Sequence, residues 1–141
     1  MAIKQDIRLA VDAVIFSFAA NIKKVLLVQR KNDPFKGQWV FPGGFVDDGE
    51  NLETAAIREL EEETSLRMEN LSQLKAYGDP GRDPRGHTVT VAFIGQVNAD
   101  AVKTKAASDA EAAKWFDLND LPQLGFDHSE ILKDAIKFFK K

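Results

Sequence analysis

Residues 52–65, LETAAIRELEEETS, leave the backbone little choice. The stretch is built from strong helix formers and holds neither Gly nor Pro. Asn51 is placed to cap its start, and Glu53 lies in the first turn, where the helix dipole favours a negative charge. A helix this short is marginal alone in water, so it needs a surface to pack on. Ala56, Ile57, Leu60 and Thr64 fall on one face and form the stripe expected to meet a sheet.

The rest of the chain supplies that sheet. Residues 9–19 and 23–30 are rich in Val, Ile, Leu and Phe and read as a hairpin of two strands. Residues 31–38 form a loop, 39–41 a short strand stopped by Pro42-Gly43-Gly44, and 46–51 an acidic loop. Further strands are expected at 70–78, 87–97 and 114–117, with loops at 79–86 and 120–127 and a final amphipathic helix at 128–139. No linker interrupts the pattern, so 1–141 reads as one α+β domain, a three-layer α/β/α sandwich around a mixed β-sheet. Residues 8–20 imitate a secretory leader in outline, but Asp12 interrupts the apolar run and a second strand follows at once. No apolar run approaches the roughly 18–20 residues that span a bilayer, so a soluble cytoplasmic protein without membrane contact is expected. The chain has no cysteine, which excludes a thiolate metal site. With 19 basic and 22 acidic residues the net charge is -3, which argues against a nucleic-acid partner.

The helix also carries chemistry. Glu59, Glu62 and Glu63 share an arc of roughly 100°. Two carboxylates four residues apart repel, and only Arg58 (to Glu62) and Arg67 (from Glu63) are spaced to offset this. Such a face is either solvated or a site for a hard divalent cation, which prefers oxygen ligands and retains waters. The surroundings favour the second reading. Gly44 is followed by five residues and Glu50, then seven residues and Arg58-Glu59-Leu60, one residue and Glu62-Glu63, one residue and Ser65-Leu66. This spacing resembles the Nudix box, Gly-x5-Glu-x7-Arg-Glu-U-x-Glu-Glu-x-Gly-U with U a bulky aliphatic, at eight of its nine specified positions. Ser65 departs from it, standing where the pattern has the Gly that ends the helix.

The resemblance implies a Nudix-type fold and a hydrolase of diphosphates linked to another moiety, with Mg²⁺ or Mn²⁺ as cofactor. It implies Glu59, Glu62 and Glu63 as metal ligands, with the Gly44 carbonyl beside them. It implies Glu50 as an assisting carboxylate and Arg58 as the residue orienting one. A loop carboxylate before the late strand often serves as base in this family, which points to Asp109 or Glu111. The segment 78–95, with Arg82 and Arg85 leading into a strand, and the run 125–128 look similar to small ADP-ribose pyrophosphatases. On that likeness Arg82 and Arg85 would bind substrate phosphate, since guanidinium forks suit it. The implied reaction takes ADP-ribose to AMP and ribose 5-phosphate. The partners would be a small nucleotide and, by analogy, a second copy of the chain. Two alternatives stand beside it: a house-cleaning nucleoside triphosphate pyrophosphohydrolase, and a non-catalytic regulatory domain that binds ADP-ribose. His87 and His128 could reach the site, and Phe35, Trp39 and Phe126 lie near loops, though a sheet or core role is the default for these aromatics.

Overall fold

In the computed structural model, which describes residues 3–18, 22–98 and 110–139, the apolar run of the first strand becomes the centre of the sheet. The strands are β1 (Arg8–Ser17), β2 (Lys24–Arg30), β3 (Trp39–Val40), β4 (Gly43–Phe45), β5 (Ser72–Tyr77), β6 (Thr88–Val97) and β7 (Ala110–Asp117). The helices are α1 (Leu52–Thr64) and α2 (His128–Phe139). The sheet runs β3-β2-β1-β6-β5, with β4 added to β1 and β7 to β2. β1 and β6 are parallel along their whole length, from Arg8 opposite Thr88 to Ser17 opposite Val97, and the other pairings are antiparallel. The sheet is therefore mixed, as expected.

Side chains alternate across a strand, and β1 shows what that achieves. Val11, Ala13 and Ile15 join Ala55, Ala56 and Leu60 of α1 in one core. Val14 and Phe16 join Ile131, Leu132 and Ala135 of α2 in the other. The helices thus cover opposite faces of the sheet, which makes the three layers. The buried stripe of α1 is Ala55, Ala56, Leu60 and Thr64, with Ile57 only partly buried, so the helix is turned slightly from the orientation read in the sequence.

Both ends of α1 are closed by side chains. Asn51 Oδ1 accepts from the Glu53 and Thr54 amides at 2.9 and 3.3 Å. The buried Thr64 hydroxyl donates to Leu60 O at 2.7 Å and accepts from Leu66 N at 3.1 Å. Ser65 takes the left-handed conformation (φ 67°) that the family glycine would take more cheaply. Beyond shifts of one or two residues at strand ends, two differences from expectation stand out. Gly43–Phe45, read as a strand stop, is β4, because two glycines let that segment lie close against β1. The last strand begins at Ala110 instead of 114, since its alanines pair along β2.

Candidate active site

One edge of β1 is shared. Ala10–Asp12 pair with β4, and Phe16 and Ser17 pair with β2. A cleft of about 410 Å³ opens in this fork. Glu59 and Glu63 of α1, Gly43 and Gly44 of β4, and Arg30 of β2 line it. Arg82 and Arg85 of the loop before β6 also line it, as do Asp12, Thr90 and His128.

The carboxylates are held closely. A Cβ on Gly44 would lie 2.6 Å from Glu59 Cδ and 2.7 Å from each of its oxygens, so any side chain there would displace this carboxylate. The Gly43 amide donates to Glu63 Oε2 at 3.0 Å. Arg58 ties the box together. Its Nε and Nη2 donate to Glu50 at 2.7 and 2.9 Å, and its Nη1 donates to Glu59 at 2.8 Å and Glu62 at 3.2 Å. The guanidinium and the Asp47 amide hold the Glu50 carboxyl down at about 2. Burial pushes the Glu59 carboxyl up, against the pull of Arg58. Glu62 is half-exposed against Arg58 and does not line the cleft. Among the described residues no three His, Asp or Glu side chains converge as a ready-made metal cluster. The two α1 carboxylates that line the cleft, Glu59 and Glu63, suit a hard cation, which is held by one or two carboxylates and keeps several waters.

The cations are distributed unevenly. Arg82 is almost wholly buried and spends its fork on Asp127, with Nε and Nη2 donating at 2.8 and 2.7 Å. Arg85 pairs with Asp83 at 3.1 and 2.8 Å, and its guanidinium lies 5.4 Å from the Phe45 ring centre and 5.6 Å from that of Phe126. Burial alone would raise the Asp83 carboxyl, but Arg85 brings it below its ordinary value. Arg30 was missed in the sequence. Its Nε donates to Pro34 O at 2.6 Å and its guanidinium lies over Phe126, and no ion pair engages it among the described residues. Burial and the nearby Arg85 charge lower its pKa. A basic residue closing an apolar strand is too common a pattern to mark it in advance.

The other candidates separate. Phe126 lines the cleft and packs on Phe35 at 4.7 Å, both residues having positive φ (51° and 61°). Trp39 packs on Phe116 at the edge of a core. His87 bonds Gly78 O across the base of its loop at 2.8 Å, outside the cleft. His128 is buried, and its Nδ1 accepts from the Phe41 amide at 3.1 Å. Burial pushes its pKa down. Asp109 lies outside the described residues, as does the side chain of Glu111.

A cleft in a mixed sheet, walled by the carboxylates of a glycine-flanked helix, defines a Nudix site. The family model described as NUDIX domain matches residues 6–135, and the chain belongs to this family. It is 46% identical over 129 residues to the ADP-ribose pyrophosphatase of Methanocaldococcus jannaschii, covering 92% of this chain and 73% of that protein. It is 37% identical to the ADPR responsive transcriptional repressor NtrR of Acinetobacter baylyi, covering 90% of this chain but only 52% of the repressor. Among solved structures, the NUDIX domain of Shewanella oneidensis NrtR complexed with ADP ribose superposes with a TM-score of 0.89 at 35% identity, covering 96% of this chain and 90% of that one. No helix among the described residues is long and apolar enough to cross a membrane.

Proposed function

We propose that this chain is a divalent-metal-dependent Nudix hydrolase that cleaves ADP-ribose to AMP and ribose 5-phosphate. The observation that carries the reading is the cleft itself, where Glu59 and Glu63 meet Arg30 and Arg85 in one cavity. The 46% identity to an ADP-ribose pyrophosphatase supports the choice of substrate.

Glu59, Glu63 and the Gly44 carbonyl would hold Mg²⁺ or Mn²⁺. When bound, the ion neutralises phosphoryl oxygens and activates the attacking water. Arg58 keeps Glu59 and Glu62 oriented by charge-assisted bonds. Glu50, an ionised carboxylate down to about pH 2, is too weak a base to take a proton near neutrality and serves as the strut for Arg58. Arg30 and Arg85 bring positive charge to the diphosphate, and Arg82 supports the loop that carries Arg85 through Asp127. Asp109 and Glu111 remain the proposed base, and a cytoplasmic homodimer the proposed setting.

The test is turnover of ADP-ribose, dATP, 8-oxo-dGTP and NADH, each with Mg²⁺ and Mn²⁺, with thermal denaturation at each metal concentration. Preference for ADP-ribose, release of AMP, and a melting point raised by metal are expected. Triphosphate preference would discard the substrate. Binding of ADP-ribose with no turnover would replace hydrolysis by a sensor role of the kind named for the repressor.

A further inference from the structure

The even-numbered positions of β1 face α2, where Val14 and Phe16 are apolar and buried. Asp12 occupies the same face and is only 8% exposed. A carboxylate in such a place is costly unless its oxygens are engaged. One of them is: Thr90 Oγ1 donates to Oδ2 at 2.6 Å. The other, Oδ1, receives no donor among the described residues. It abuts Gly43, where a Cβ would stand 2.5 Å away, so the bare glycine leaves the oxygen room. Both residues line the cleft.

His128 lies next to it, with Nε2 3.6 Å from Asp12 Oδ2. Because Nδ1 accepts the Phe41 amide, the neutral ring carries its proton on Nε2. The cleft lining therefore holds an unused acceptor, Oδ1, on a carboxylate whose other oxygen lies 3.6 Å from that donor. A hydroxyl satisfies both at once. A phosphate oxygen only accepts and would meet the carboxylate charge. An ammonium only donates and would leave His128 unmatched.

We propose that Asp12 is a specificity-determining residue: with His128 it receives a ribose hydroxyl of a diphosphate-linked sugar, and its charge turns away a third phosphate. This rests on the hydrolase reading above. The experiment compares wild type with Asp12→Asn, which keeps the size and the Thr90 bond but removes the charge. kcat/KM is measured for ADP-ribose and for ATP, and ADP-ribose affinity by calorimetry without metal. The ADP-ribose to ATP ratio is expected to fall at least about tenfold, since a site built to bond a hydroxyl discriminates strongly. An unchanged ratio would overturn the proposal. If wild type turns over neither nucleotide, the hydrolase reading fails, and the calorimetric Kd still decides Asp12: a tenfold weakening supports it and equal affinities refute it. If the variant does not fold, wild type is titrated with ADP-ribose analogues lacking the hydroxyls of one ribose or the other. A tenfold loss for one analogue is expected, and equal binding of all three would refute the assignment.

Discussion

Gly44→Ala isolates the role of the box glycine. The new Cβ would lie 2.6 Å from Glu59 Cδ. Ordinary carbon contact begins near 3.5 Å, so the carboxylate must retreat by about 1 Å. It cannot do so freely, because Arg58 Nη1 holds it at 2.8 Å and the side chain is mostly buried. Overpacking of this kind costs about 1–3 kcal/mol of stability. A displacement of about 1 Å at a reacting centre costs about 100-fold in rate. The assay is kcat for ADP-ribose over a Mg²⁺ titration, with a urea denaturation curve for each protein. Gly49→Ala is the comparison. Gly49 has φ +80°, and nothing lies within 4 Å of its would-be Cβ. Alanine there should lose about 1 kcal/mol through backbone strain and spare the rate. Wild-type kcat in Gly44→Ala, or an equal loss of rate in both variants, would refute the reasoning.

Glu59→Gln and Glu63→Gln should each lower kcat at least about 100-fold, and Glu62→Gln should cost less because Glu62 meets Arg58 outside the cleft. Equal kcat losses in the three variants would bring Glu62 into the cleft. Arg82→Ala should destabilise the fold by about 3–5 kcal/mol in denaturant titration, since it strands Asp127 beside a buried gap; a stable variant with impaired substrate affinity would make Arg82 a direct phosphate ligand. Burial lowers the His128 pKa, so the unfolded chain takes up the proton first. Stability should therefore fall as pH drops from about 6.5 through the lower folded-state value, and His128→Asn should flatten that part of the curve of melting point against pH.

Much of the site was legible because it is local. Glu59, Glu62, Glu63 and Arg58 lie on one helix, and helical spacing alone groups them. The cap at Asn51, both helices and the strand at 87–97 rest on equally short-range patterns. What stayed hidden depends on pairing across the sheet. Arg30 and Asp12 carry no sequence signature of a site, since one closes an apolar strand and the other merely interrupts one. The Glu62–Arg58 contact follows from helical spacing, but that Glu62 stands outside the cleft does not, because rotation of the helix on its core is set by packing. Arg82 read as a free guanidinium until Asp127, 45 residues on, took up its fork.

The order of residues along the chain thus determined the helix, its carboxylate face and the glycines that admit it, because each depends on neighbours within a few positions. The tertiary structure alone decided which charges are spent and which face the cleft. β1 divides its edge between β4 and β2, and the partners drawn to that fork come from strands and loops far apart in sequence.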